Sequence, residues 1–149
     1  MTDQMDGMRA KTPWHLWVIG IVALLWNSFG ALDFAATNIA PQDWLGGGMG
    51  YDEAQITYFL SFSWWENLMW GVGTWGALLG TVALLLRSRW AVWLLLASLI
   101  GASVYFVNAK FFSTFPEGLD PGIFPYVIVG IAAALLVYAM SMKRKGVLR

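Results

Sequence analysis

The chain has 149 residues, of which 58% are apolar and only 12% are charged. A soluble domain carries about 25% charged residues, and so few charges cannot cover the surface of a water-soluble protein of this length. The nine Lys and Arg balance the nine Asp and Glu, which excludes the strongly basic surface of a nucleic-acid-binding protein. The absence of cysteine excludes disulfides, iron–sulfur clusters and thiol nucleophiles. The composition therefore predicts a small integral membrane protein in contact with the lipid bilayer and without a nucleic-acid partner.

Four apolar segments are long enough to cross a membrane as helices. A hydrocarbon core about 30 Å thick needs roughly 20 apolar residues per helix, and lipid cannot hydrogen-bond the backbone of any open structure. The predicted spans cover residues 14–34, 64–86, 90–108 and 123–142. The sequence thus predicts an all-α protein, a single transmembrane domain over residues 1–149 that folds as a four-helix bundle.

The cations lie on one side of these spans. Alternating spans place the segment before span one, the link between spans two and three, and the segment after span four on the same side. The positive-inside rule puts that side, with both termini, in the cytoplasm. A cleaved signal peptide is the alternative for span one, but its apolar stretch exceeds the roughly 7–15 residues of a signal peptide. The cations of this side are Arg9, Lys11, Arg87, Arg89, Lys143, Arg144, Lys145 and Arg149.

The first outer loop predicts a short amphipathic helix over residues 51–60. A glycine-rich run over residues 46–50 cannot belong to a helix interior. Asp52 and Glu53 then stand where a helix N-terminus favours acidic side chains. We expect this helix either to lie on the outer membrane surface or to continue into span two.

Small residues recur at four-residue spacing in span two, as Gly73 with Ala77 and Gly76 with Gly80. Similar small residues occur in span three, and Gly130 lies in span four. Such spacing lets helices approach closely in lipid. It predicts packing within the bundle, with homodimerisation as the alternative.

Polar side chains inside the spans are few and lie mostly toward the outer side, where they form a candidate ligand-binding site. Helical spacing puts Glu66 on the small-residue face of span two, and it predicts that Asp33, Glu66 and Asn108 meet in an outward-facing pocket. Two tryptophans would form its floor, and Lys110 would be the ion partner. The alternative is that these carboxylates reach water or headgroups, or join helices through an ion pair. The candidate residues are Asp33, Glu66, Asn27, Asn67, Asn108, Trp26, Trp70 and Lys110.

The sequence offers no catalytic constellation, so an enzyme is not expected. His15 is the only histidine, and it falls at the inner interface, opposite to Asp33 in the predicted topology. A Ser-His-Asp triad or a metal site would need partners that are absent there. We expect no metal or cofactor and interpret His15 as an interfacial anchor.

Several stretches resemble a family of small four-span proteobacterial inner-membrane proteins. They are residues 14–17, 24–34, 75–80, 86–91 and 145–149, and the resemblance covers most of the chain. Most members are uncharacterised, and some carry the label "sugar transporter". The resemblance implies a bacterial inner-membrane location and places Trp26, Asn27, Gly30 and Asp33 in the family pattern. Members have a Gly-Phe-Pro break before span two, where this chain has Ser61-Phe62-Ser63.

The expected function is therefore a transporter, or a transporter component, for a small polar solute such as a sugar. Four spans without a convincing repeat would have to dimerise to alternate access. The alternative is a non-catalytic accessory or assembly subunit of a larger membrane complex, and an enzyme acting on lipid or quinone ranks last.

Overall fold

The computed structural model describes residues 10–149. Every regular secondary-structure element in that range is a helix. Arg9, one of the cations used for orientation, lies outside the described residues. The helices are α1 Trp14–Ile39, α2 Glu53–Leu60, α3 Trp64–Leu85, α4 Trp90–Phe112 and α5 Phe124–Arg144, and a π-helical segment Gln42–Gly48 follows α1.

The four long helices α1, α3, α4 and α5 are apolar enough to cross a membrane, which confirms the all-α four-span prediction. The shortest, α5, has 21 residues, and at a rise of about 1.5 Å per residue it matches a hydrocarbon core of about 30 Å. α1 ends at Ile39 rather than Phe34, because no helix breaker follows before Pro41. α4 likewise continues past Asn108 to Phe112.

The long helices pack in chain order as an antiparallel bundle. α1 packs on α3, α3 on α4, and α4 on α5. Two side-chain contacts connect α5 with α1, since Tyr138 hydrogen-bonds His15 and Phe124 lies 6.0 Å, centroid to centroid, from Trp26. We call the end where α1 begins and α5 ends the basic end, and the opposite end, with α2 and the π-helical segment, the acidic end.

Glycines bring α3 and α4 into backbone contact. A Cβ on Gly101 would lie 2.7 Å from the Met69 carbonyl oxygen, and one on Gly80 would lie 2.7 Å from Leu95 Cγ. Small residues therefore pack within the bundle, as the sequence predicts. Gly130 of α5 is different, because a Cβ there would meet nothing within 4 Å.

The buried apolar core lies toward the basic end, where all four long helices and the C-terminal tail meet. Leu16, Leu84, Leu95 and Met142 are almost completely buried there. The tail folds back over this core and buries Leu148 to 2% exposure. The tail is held by two backbone bonds, from Arg89 N to Arg149 O at 2.8 Å and from Arg149 N to Arg87 O at 2.7 Å.

Candidate functional site

Glu66 lies in the first turn of α3, at the acidic end, and both of its carboxylate oxygens accept hydrogen bonds. Ser63 donates to Oε2 from its backbone N at 2.8 Å and from its hydroxyl at 2.5 Å. Asn108 of α4 donates from Nδ2 to Oε1 at 2.6 Å. The structure thus brings Glu66 and Asn108 together as predicted. The carboxylate caps α3 and ties it to α4. Its negative charge also interacts favourably with the positive end of the α3 dipole.

The same residues explain why α2 and α3 are separate helices. Ser63 is the N-cap of α3 and forms a capping box with Glu66, and Asp52 forms another with Gln55 at the start of α2. The Ser-x-x-Glu spacing is a known helix-start signal, and it assigns Glu66 a capping role beside the predicted ligand-site role. The break before span two is therefore present although the Gly-Phe-Pro sequence is not, and α2 does not continue into α3.

Asp33 has a different partner. The indole N–H of Trp44 donates to Asp33 Oδ1 at 2.8 Å, which ties the π-helical segment to α1. Lys110 is exposed, and the bonds of Asp33 and Glu66 go to Trp44, Ser63 and Asn108 instead. The expectation that Lys110 is their ion partner is wrong for the described residues. An indole N–H and an amide satisfy the carboxylates from within the bundle.

Asn27 lies deeper, between α1 and α3. It is 7% exposed, and its Nδ2 donates to Thr81 Oγ1 at 2.8 Å and to Ala77 O at 3.3 Å. The Thr81 hydroxyl in turn donates to Ala77 O at 2.8 Å. Asn27 therefore joins two helices in the middle of the bundle and does not share hydrogen bonds with Asp33 or Glu66.

Two further candidates also make contacts between helices. Asn67 of α3 donates from Nδ2 to Asn38 Oδ1 of α1 at 2.8 Å, on the exposed surface. Trp26 packs against Phe124 of α5. The sequence predicts Trp26 and Trp70 together as the floor of the pocket, but Trp26 contacts Phe124 of α5 and is not among the ring partners of Trp70.

Trp70 is surrounded by aromatic rings. Tyr105 of α4 stacks on it with centroids 6.2 Å apart, and Phe34 of α1 meets it edge-on at 5.1 Å. Phe59 of α2 and Phe62 of the following turn lie 6.3 Å and 6.0 Å away. We call these five residues the aromatic cluster. It docks α2 on the bundle and places rings of α1, α2, α4 and the turn after α2 around Trp70.

The sequence could not predict the aromatic cluster, because its members come from four helices and the turn after α2. A weak signal was available in the amphipathic pattern of residues 51–60, which predicted an apolar face but not its partner. α2 turns Phe59 of that face toward Trp70 of the bundle, and its position at the outer membrane surface stays a prediction.

His15 makes a specific bond at the basic end. Its Nδ1 and the Tyr138 hydroxyl lie 2.6 Å apart and share a hydrogen bond, so His15 ties α1 to α5. Within residues 10–149, no group of three or more His, Asp or Glu side chains is placed to hold a metal ion.

Two surface grooves run between the long helices, and Asn67 is the one candidate residue that lines either of them. One, of about 620 Å³, runs along α3 between α1 and α4, and the other, of about 360 Å³, lies between α4 and α5 at the basic end. Neither groove is lined by Asp33, Glu66 or Asn108. The polar residues of the predicted pocket thus connect neighbouring segments in pairs. The hydrogen bonds they form are made with partners within the chain.

Comparison of the chain with protein-family models, with curated proteins and with solved structures finds no match.

Proposed function

We propose that this protein is a non-catalytic accessory or assembly subunit of a larger complex in a bacterial inner membrane. The observation that carries this proposal is the pairwise use of the polar side chains. Asp33, Glu66 and Asn27 each bond a neighbouring segment of the same chain. Groups committed to holding helices together suit a protein whose role is contact rather than chemistry or carriage.

The charge distribution supports a membrane location and an orientation of the protein in the membrane. Among the described residues, the basic end carries seven Lys and Arg and no Asp or Glu side chain, whereas Lys110 is the single cation of the acidic end. The positive-inside rule then puts the basic end in the cytoplasm. The cations of the basic end are Lys11, Arg87, Arg89, Lys143, Arg144, Lys145 and Arg149.

The groove along α3 supports the contact role. Its floor includes Gly71 and Ala97, and exposed Trp64 and Trp75 lie along it on α3. Gly71 packs against Phe34 of the same chain, and the exposed tryptophans beside it offer a surface for van der Waals packing with a second helix, one of the contributions to helix association in lipid. We name this surface the α3 groove and assign it to a transmembrane helix of a partner protein.

Site-specific photo-crosslinking in native membranes tests this assignment. A photoreactive residue replaces Leu68 in the α3 groove, and a matched control replaces Leu25, which is 70% exposed on α1 away from the groove. We expect one defined polypeptide adduct from position 68 and lipid adducts alone from position 25. Equal adducts from both positions, or lipid alone from position 68, would contradict the proposal.

A transport function is the second candidate, and the arrangement of the acidic end favours it. Tyr58 of α2 packs against Phe115 of the second loop at 5.3 Å, and Phe59 and Phe62 reach Trp70. α2 thus covers the end of the bundle near two carboxylates. Displacement of α2 would expose aromatic faces beside acidic and amide groups, which is the chemistry of a sugar or polyol site.

Solute binding separates the two candidates. Asp33→Asn and Glu66→Gln keep an acceptor oxygen at each position, so a purely structural role predicts near-normal folding. If the protein carries a polar solute through these carboxylates, both variants abolish uptake into proteoliposomes while the protein still folds. The accessory role predicts no solute uptake by the wild-type protein alone.

A further inference from the structure

We propose that the groove between α4 and α5 at the basic end binds one anionic phospholipid. The lipid phosphate lies against Lys143 and Arg144, and the start of an acyl chain lies against Val92 and Met140. These four residues line the groove, which we name the α4–α5 notch. This inference does not depend on the proposed accessory role.

The position of the notch along the bundle corresponds to the level of lipid headgroups. Val92 lies near the start of α4 at Trp90, and Met140 lies in the last turns of α5 before Arg144. Trp93, next to Val92, is 60% exposed, as expected for an aromatic side chain at a membrane interface. Both cations belong to the last turn of α5. A groove at this depth faces headgroups on one side and acyl chains on the other.

The described side chains of the basic end carry a net positive charge, which favours binding of an anion. Lys143 and Arg144 are both exposed, and no Asp or Glu side chain of residues 10–149 lies at the basic end. The carboxyl end of α5 adds a partial negative charge from the helix dipole. Two adjacent cations outweigh this partial charge and leave a net positive site for a phosphate group. Arginine contributes planar bidentate geometry and lysine a point charge, both of which bind phosphate.

The apolar walls favour a lipid over free phosphate as the occupant. A phosphate ion needs only donors, and Val92 and Met140 offer none. An amphipathic ligand satisfies both halves of the lining, and the volume of about 360 Å³ falls within the range of small-molecule sites, roughly 300–1,000 Å³. Basic pockets between transmembrane helices are a known mode of anionic headgroup binding.

Native mass spectrometry of the full chain in mild detergent, titrated with phosphatidylglycerol or phosphatidylcholine, tests the proposal. We expect the wild-type protein to retain one phosphatidylglycerol in preference to phosphatidylcholine. K143Q/R144Q removes both notch cations, and the matched control K145Q/R149Q removes the same charge from side chains outside the notch lining. At about 1 kcal/mol per cation near an anionic lipid, the notch variant weakens phosphatidylglycerol binding about 30-fold. The control leaves it nearly unchanged.

Three results would overturn the proposal. Equal weakening in the two double variants would mean that diffuse charge attracts the lipid. Displacement of phosphatidylglycerol by millimolar inorganic phosphate would identify a free-phosphate site instead of a lipid site. Undiminished binding by Val92→Trp, which fills the notch and keeps both cations, would place the lipid elsewhere. Retained helical circular dichroism shows that each variant is folded.

Discussion

Replacing Glu66 by Gln and by Ala tests whether this carboxylate holds the bundle together. Gln keeps one acceptor oxygen and is itself a favoured residue at the third position of a capping box. Ala removes the bonds with Ser63 and leaves the Asn108 amide, 2.6 Å from Oε1 in the wild-type protein, without its acceptor. The two substitutions therefore separate loss of charge from loss of hydrogen bonds.

The expected magnitudes follow from these bonds. A hydrogen bond to a charged acceptor contributes about 1.5–3 kcal/mol, and loss of a helix cap costs about 1 kcal/mol. We expect Glu66→Ala to lower the free energy of unfolding by about 2–4 kcal/mol. Glu66→Gln should lower it by about 1 kcal/mol, because the amide oxygen still accepts from Ser63 and a flipped Asn108 amide accepts from the new NH2 group, so that neutral bonds replace charge-assisted ones.

Reversible unfolding in mixed micelles, titrated with sodium dodecyl sulfate and followed by far-ultraviolet circular dichroism, measures these values. A double-mutant cycle with Asn108→Ala isolates the contact between α3 and α4. We expect a coupling energy of about 1 kcal/mol or more. Equal destabilisation by Gln and Ala, or a coupling energy near zero, would refute the structural role of Glu66.

Three further substitutions test the packing by the same unfolding measurement. Asn27→Ala should cost about 1 kcal/mol, the usual value of a hydrogen bond between membrane helices, and a neutral result would contradict its role between α1 and α3. Gly101→Ala should cost about 1–3 kcal/mol through steric contact with the Met69 carbonyl. Its control Gly130→Ala, which meets open space, should be neutral or stabilising, and equal effects would refute the close approach. Leu148→Ala should cost about 2 kcal/mol or more through a cavity under the tail, and no effect would mean that the tail is not part of the core.

The transmembrane architecture could be predicted because it depends on local composition. Each span is a predominantly apolar run, and a run of that length has one stable form in lipid. The small residues of α3 were also informative, since Gly73 and Gly80 lie on the face that meets α4. Helix ends were less predictable, because the Ala- and Thr-containing end of α1 remains helical as far as Ile39.

The candidate site was harder to predict because its contacts join distant segments. The contact of Glu66 with Asn108 follows from helical spacing on two adjacent spans, and the structure contains it. The contact of Asp33 with Trp44 depends on a π-helical segment with no clear sequence signal. Burial of α2 against Trp70 depends on how the chain returns over the bundle. The sequence therefore indicated which residues were polar in the spans and that Glu66 meets Asn108, but not the partners of Asp33 and Asn27.

The most direct test of the accessory role is native mass spectrometry of the protein solubilised mildly from its own membranes, as wild type and as the Asp33→Asn/Glu66→Gln double variant. We predict a reproducible complex that contains another polypeptide, with the same mass in both samples, because the variant keeps an acceptor oxygen at each position. A monomer or homodimer with a bound polar solute, lost in the double variant, would contradict the account and identify the protein as a solute-binding transporter.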